Sequence, residues 1–598
     1  MGPSVMSEHP YFFQRVLDTL LREDVGGCVS RGNFAPLLPS KLAAAVGTGG
    51  QGGWLVVEAS GEVERVWLPI LPSGHMQDWR FDAERPVVAE KGRSILVSED
   101  AVELARWLLP PGTLDEESCL KEFAHEYRTA QEHRLRCEAE RVRFFAERRG
   151  SSGGTPGGTW WERLLHHDRL ASFLDHPYYP TARAKVGFGL TDLERFAPEF
   201  RPTFELRWLA LPKVLLPVRG QTRPGWWPAF EDVGLSAELE RSHTLLPVHP
   251  HTWETLWDDP ALAEIVSVAV RAPKAHVTVT PTLSVRTVVV LEDSRWHLKL
   301  PLRIRTLGIR NLRTMKPSTI DDGHTVQSLL GEILASEPRL QGKVLLTDEE
   351  HGAAVEGQPL LGFLARRYPE SLVDETIVSI AGLAADAPDG RMVMRALADE
   401  HHAGDVRSLF EEYVALTLEL HLRLWVRYGI ALESNQQNSM LVLSPHAPGL
   451  CLLLKDNDAP RIWPERLARH ARFGTVPEKL RDSRILCSDE DALARMFLTI
   501  TLQLNLSAPL EAAAARGLFN REESYALVRT RAEAVLDELA REGEDVSAAR
   551  SWLLEARRHP VKYLLTAATL RPKTLTGAAD VNKFYGLSGP NPLLPVSP

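Results

Sequence analysis

Residues 406–428, VRSLFEEYVALTLELHLRLWVRY, carry apolar side chains at helical spacing until Gly429 ends the run. Glycine takes the left-handed conformation that closes a helix at little cost. The chain continues as YGIALESNQQNSML (428–441), where Glu433, Asn435, Gln436, Gln437 and Asn438 stand just before an apolar strand. Two apolar runs, SMLVL and GLCLLLK, joined by SPHAPG, read as a hairpin that returns LLLKDND to the amides. A long apolar helix, a hairpin and a cluster of amides must therefore share one core, and buried amides are costly unless something satisfies them.

The chain has room for such cores. It has 598 residues, 44% of them hydrophobic, enough for two to four domains. Its five cysteines, Cys28, Cys119, Cys137, Cys451 and Cys487, are scattered without a CxxC spacing, which signals neither a disulfide framework nor a zinc knuckle and points to a reducing cytoplasm. No basic region precedes an apolar run at the N-terminus, and nothing later approaches a span of ~20 apolar residues, so no membrane attachment is expected. The net charge of −10 argues against a nucleic-acid partner.

Helical segments flank a β-rich middle, which makes the chain α+β in three parts. Residues 1–148 hold two strands, WLVVEA and VERVWLPIL, and a long polar-faced helix over 116–148. The stretch RRGSSGGTPGGTW (148–160) marks the first boundary. Residues 149–350 turn to strands in RPTFELRWLALP, AHVTVTPTLSVRTVVVLE and RWHLKLPLRIRTLGI. Residues 351–598 are mainly helical around the hairpin, with GLSGPNPLLPVSP as a terminal loop.

Several motifs carry chemistry, each beside a plainer reading. GTGGQGG (47–53) contains GxGxxG, but a helix-like segment precedes it and a strand-like one follows, the reverse of a dinucleotide site, so it reads as a turn. DHPYYPTARAKVGFG (175–189) groups His176, Tyr179, Arg183 and Lys185 and by itself fits a proline-rich loop with a satisfied histidine. LLPVHPHTWE offers His249 and His251, with no third metal ligand at a convincing spacing, and reads as a packed turn. In TPTLSVRTVVV, Ser284 and Arg286 share one face of an expected strand with Thr287 near its end. HLKLPLRIRTLGIRNLRTMKP then brings Lys299, Arg303, Arg305, Arg310, Arg313 and Lys316, a density that suits an oligoanion as well as a charged edge strand. Glu433, Asn438 and Asp456 would converge at neighbouring strand ends, which suits Mg²⁺; an amide-capped helix end with an ordinary turn fits that segment equally.

Taken in order, HPYYPTARAKVGF, PVHPHTWE, TLSVRT, KLPL…RNLRT, YGIALESNQQN, LLLKDND and NPL resemble the NRPS-independent siderophore synthetases of the aerobactin synthetase (IucA/IucC) family. The resemblance implies a hand-like fold of thumb (1–148), fingers (149–350) and palm (351–598), the last part FhuF-like, with a kinase-like ATP·Mg²⁺ site between fingers and palm. It implies adenylation of citrate or a related polycarboxylate, then displacement of AMP by an amine or alcohol, in a cytoplasmic homodimer. It assigns ATP binding to Ser284, Arg286, Thr287, Lys299, Asn435, Gln437 and Asn438, and the metal to Glu433, Asn438 and Asp456. The substrate carboxylate falls to Arg313, with Arg310 as rival, and to His176 and Arg183; Arg313, Lys299 and His176 are the expected catalytic groups. Three residues depart from the family pattern: Tyr179 replaces a histidine, Arg183 a lysine and Asn435 a histidine, which leaves the nucleotide motifs in place and alters the acid pocket.

Two other classes compete. An Asn–hairpin–Asp arrangement around Mg·ATP also serves small-molecule kinases, although a Gly-rich strand loop and an HRD-type base are missing here. A non-catalytic iron-chelate binder is the third reading, opposed by the lack of clustered cysteines.

Overall fold

The computed structural model describes residues 9–46, 51–109, 114–148, 158–220, 224–446, 449–572 and 584–595. In the N-terminal part, helix His9–Arg22 lies on a six-stranded antiparallel sheet whose long central strands are Gly53–Glu58 and Arg65–Pro72. The glycine run has the flanks its context predicts, helix Ser40–Val46 before it and the strand opened by Gly53 after it; 47–50, where the expected turn falls, lie outside the described residues. Helix Leu114–Arg148 then leaves this sheet. Phe123 belongs to the N-terminal core and Phe144 to the core of the C-terminal part, so one helix ties together cores about 32 Å apart along its axis.

The middle of the chain builds an eight-stranded sheet, in the order Asp348–Ala354, Gly362–Arg367, Trp296–Lys299, Thr287–Val290, His276–Pro281, Phe204–Pro212 and His243–Val248, with Val270–Arg271 paired to Phe204–Pro212. Alternation divides its faces. Val288, Val290, Leu298, Phe363 and Ala365 enter one core, whereas Thr287, His297, Lys299 and Arg366 share the opposite face through the pairs Thr287↔Lys299 and His297↔Arg366. That polar face carries the candidate site. The expected boundary at 350 falls inside strand Asp348–Ala354, and two strands beyond residue 347 complete the sheet. The 148–160 boundary is mostly outside the described residues, since 149–157 are not among them.

Helix Val406–Tyr428 forms as its pattern predicts, with the Asp405 carboxylate accepting from the Ser408 amide at 3.0 Å and Gly429 at φ 66° closing it. It is buried on nearly every side, under helix Arg521–Arg541 and against the hairpin Ser439–Leu443/Leu450–Leu454. Charge fixes the helix pair: buried Arg423 reaches Glu538 at 3.1 Å and Glu542 at 2.9 Å, besides Glu419. Removing Arg423 breaks this buried network while Arg339 still holds Glu538 and Arg427 still holds Glu542, so Arg423→Ala is expected to cost about 1–3 kcal/mol, read as a lower midpoint in denaturant unfolding.

The end of the chain differs from its expected reading. Tyr585–Pro590 pairs antiparallel with Arg558–Lys562 instead of forming a loop, and Leu565, Ala568 and Leu570 return to the N-terminal core. Phe497–Ser507 is a fully buried π-helical segment. Its carbonyls accept from side chains elsewhere: Leu504 from Gln436 at 2.7 Å, Gln503 from Tyr178 at 2.8 Å and Asn505 from Tyr413 at 3.0 Å.

Candidate active site

The hairpin brings Asn438 and Asp456 together as its pattern predicts. Ser439 pairs with Leu454, and the Lys455 amide donates to the Asn438 carbonyl at 3.0 Å. The Ser434 hydroxyl donates to Asn457 at 3.0 Å, tying the amide segment to KDND. Within that segment Asn435 holds its own turn, its side-chain oxygen accepting from the Gln437 amide at 3.1 Å. Gln436, for which the pattern offered no role, anchors the segment to the π-helix.

Asp456 is the electrostatic hub. Its carboxylate meets the Lys299 ammonium at 2.6 Å and the Arg366 guanidinium at 2.6 Å, and these cations hold it well below the usual carboxylate range. Its backbone is left-handed at φ 55°, unusual for a non-glycine residue, and is held by the 2.9 Å bond from its amide to Glu349. Glu349 also accepts from Arg366. Asp458 sits 3.5 Å from Lys299, and burial together with the Asp456 charge pushes its carboxyl up. Two carboxylates thus compete for one lysine.

The cations of the SxRT segment stand beside this hub. Ser284 and Arg286 lie in the turn between His276–Pro281 and Thr287–Val290, not on a strand face; only Thr287 is in the strand. A five-residue turn, held by the Thr287 amide donating to the Ser284 carbonyl at 2.8 Å and the Thr282 amide donating to the Thr287 carbonyl at 2.9 Å, replaces the expected continuous strand. Arg286 donates to the Thr314 carbonyl at 2.7 Å and Arg313 to the Thr306 hydroxyl at 2.5 Å. Burial lowers both guanidinium pKa values, that of Arg313 to about 9 with Arg286 as its charged neighbour. Among the described residues neither has a carboxylate within ion-pair distance.

Buried Asp168, on helix Trp160–Ser172, accepts from the Leu283 amide at 3.0 Å and so orients the same turn. It also faces Lys455, whose ammonium is lowered to about 8 by burial first and by Arg366 next.

The remaining expected residues divide. His176 accepts through Nδ1 from the Tyr178 and Tyr179 amides at 3.2 and 3.1 Å, and burial lowers its pKa to about 3, so it is neutral. Lys562 is one of the charges it senses, and Lys562 lies 3.8 Å from Glu433, which places His176 and Glu433 around one lysine. Arg183 is not brought to the cluster. It is buried against Asp175 at 2.9 Å, Glu199 at 3.0 Å and the carbonyls of Ser172 and Phe173, a core ion pair and not an open carboxylate receptor. Arg310 is likewise committed, to the Ala567 carbonyl at 2.8 Å and Cys119 Sγ at 3.1 Å, which leaves Arg313 as the arginine beside Arg286. His249 and His251 form the expected packed turn: His249 caps helix Pro250–Leu256, and both rings stand edge-on to Phe196.

Asp458, Lys455, Arg366 and Glu349 were missed by the sequence reading. The i, i+2 aspartates of KDND were a visible signal for Asp458; Arg366 and Glu349 arrive through strand pairing and left none. Among the described residues no three His, Cys, Asp or Glu side chains form a ready cage for a metal. Asp456 and Asp458 with the Asn438 amide nevertheless match Mg²⁺, which takes one or two carboxylates and fills its shell with water and phosphate oxygens.

Known siderophore synthetases share this fold and are similar to the chain in sequence. The chain carries an IucA / IucC family domain over residues 167–385, followed over 407–576 by a match to the ferric iron reductase FhuF-like transporter family. It is similar to staphyloferrin B synthase of Staphylococcus aureus (strain NCTC 8325 / PS 47), 22% identical over 83% of each chain. L-2,3-diaminopropanoate–citrate ligase of the same organism is 27% identical over 47% of this chain and 51% of its own. In fold, the chain matches the ATP-bound aerobactin synthetase IucA from a hypervirulent pathotype of Klebsiella pneumoniae, with a TM-score of 0.71 at 19% identity over 98% of this chain and 99% of that one. No helix among the described residues is long and apolar enough to cross a membrane.

Proposed function

We propose that this chain is an ATP-dependent ligase of siderophore assembly, which adenylates a carboxylate of citrate or a related polycarboxylate and joins it to an amine or alcohol. The observation that carries this reading is the pair Arg286 and Arg313, two half-buried guanidinium groups close enough to sense each other's charge, with no carboxylate within ion-pair distance of either among the described residues. Buried cations persist where an anion completes the site, and guanidinium forks match phosphate and carboxylate oxygens. The relatives' names supply the substrate class and the pathway: citrate and an amino acid for the L-2,3-diaminopropanoate–citrate ligase, and siderophore biosynthesis for the rhizobactin protein RhbC of Rhizobium meliloti (strain 1021).

In this reading Arg286 and Lys299 hold the phosphates, with Ser284, Thr287, Asn435 and Gln437 beside the nucleotide, and Arg313 faces the α-phosphate and the substrate carboxylate. A carboxylate oxygen attacks the α-phosphorus and pyrophosphate departs. The nucleophile's nitrogen or oxygen then attacks the acyl carbon, AMP departs and the nucleophile loses its proton. Adenylation supplies the leaving group that a carboxylate lacks, and the fixed cations stabilise the developing charge. Mg²⁺, when bound, neutralises phosphate oxygens; Asp456, Asp458 and Asn438 would hold it, and Glu433 would join on release from Lys562. His176, neutral and anchored through Nδ1, presents Nε2 to the acid. Arg183 and Arg310 act as structural supports.

Pyrophosphate release that depends on a polycarboxylate, with hydroxamate formed when hydroxylamine traps the acyl group, is the expected result. AMP must accompany it; ADP would instead identify a kinase, and silence across a panel of citrate-like acids would overturn the proposal. Asn435 gives a second test. Neutral histidine can accept from the Gln437 amide through Nδ1 as Asn435 does, a bond lost when that nitrogen is protonated, so Asn435→His is expected to change stability by less than about 1 kcal/mol at pH 8 and to cost about 1 kcal/mol in the charged form without ATP. It adds a group that charges below pH about 6.5, so ATP affinity in the variant should rise as pH falls through that value, unlike the parent's, in a titration by calorimetry.

A further inference from the structure

A cavity of about 860 Å³ opens at the far end of the 439–454 hairpin from Asn438 and Asp456. Its walls are the facing sides of helices Val406–Tyr428 and Arg521–Arg541, the outer end of the hairpin and the segment 371–375. The floor is apolar, with Leu372, Leu416, Val442, Leu450 and Val535. This volume lies within the range of small-molecule sites, which combine an apolar lining with a few placed polar groups.

Most charges around the cavity neutralise one another. Glu419 and Glu538 are held by Arg423 and Arg339, Arg531 by Glu411, and Glu412 by His402 at 2.9 Å and the Leu450 amide at 3.0 Å. Lys343, exposed at the rim, and Glu375 are the exceptions, and of the two only Glu375 has a buried polar atom without a hydrogen bond. It has no ion-pair partner among the described residues, and its Oε2 is buried without a hydrogen bond. Its backbone is fixed on both sides, the amide donating to Leu372 at 3.1 Å and the carbonyl accepting from Arg163 at 2.7 Å. A buried carboxylate oxygen without a donor carries the full desolvation cost of that group, which a ligand ammonium would remove.

We propose that this cavity is a second ligand site, for an amphipathic primary amine whose ammonium pairs with Glu375 and whose apolar body lies on Leu416, Val442 and Val535. The amine here is not the acyl acceptor. Val442 in the cavity floor stands four residues along the strand from Asn438, and at about 3.3 Å per residue the gap is about 13 Å, beyond attack distance. The site is independent of the adenylation reading, and ATP binding measured on the same samples keeps the two apart.

Calorimetry of the full chain with phenethylamine, and with 3-phenylpropionate as the anionic control, tests the assignment. The expected result is saturable one-to-one binding of the amine and none of the acid. Glu375→Gln should weaken the amine by at least about tenfold, as loss of a charged hydrogen bond does, and Leu416→Trp should block it, with ATP binding unchanged in both. No saturable binding by the parent protein, or equal affinity in the Glu375→Gln variant, overturns the proposal.

Discussion

Arg286→Met is expected to abolish adenylation without destabilising the protein. The half-buried guanidinium meets one carbonyl, feels the charges of Asp456 and Asp458 without contacting them, and repels Arg313; among the described residues no carboxylate is in contact with either arginine. Methionine fills similar space and carries no charge. The lost bond to Thr314 and the relieved repulsion oppose each other, so thermal unfolding should shift little or upward. Pyrophosphate exchange should fall by about 10²–10³-fold, the loss typical of one preorganised donor at a developing charge. Intact exchange in this variant would show that the phosphates bind elsewhere.

The second large effect has the opposite stability signature. Asp456→Asn keeps the shape of the side chain but leaves Lys299 and Arg366 buried without their shared carboxylate. Breaking a buried pair in this way costs about 3–5 kcal/mol. Adenylation should also disappear, because Lys299 loses its position and the proposed Mg²⁺ ligand set loses a charge. A variant that remained as stable as the parent would contradict the hub described for Asp456. The two substitutions together separate a site charge held for its ligand from a site charge held by its neighbours.

Local pattern carried the hairpin, because a two-strand unit closed by a short turn depends only on neighbouring residues. Gly429, the 406–428 helix and the meeting of Asn438 with Asp456 were legible for that reason. Ser284 and Arg286 were misplaced because alternation through TLSVRTVVV fits a strand, whereas the ladder bonds of the sheet stop at Pro281 and resume at Thr287. The motif's chemistry survived the error, since a turn presents arginine as readily as a strand edge. Arg183 and Arg310 look like any other arginine in the sequence; what commits them is Asp175, Glu199 and Ala567, of which Ala567 lies 257 residues away from Arg310. Glu349 and Arg366 lay beyond local reasoning for the same cause, as did the extension of the sheet past residue 350.

The return of the last helical turns to the first core has a consequence for synthesis. Buried Glu23 accepts from the Leu565 amide at 2.9 Å and the Thr566 amide at 2.8 Å, and Leu565, Ala568 and Leu570 fill the core around it. Until the ribosome has made those residues, the N-terminal part has a carboxylate without donors and a gap in its apolar packing. Domains ordinarily fold in turn as they emerge. This chain has to hold its first core incomplete through about 400 residues of elongation, so a ribosome-bound chain stopped after residue 148 should be open to proteolysis where the finished protein is not.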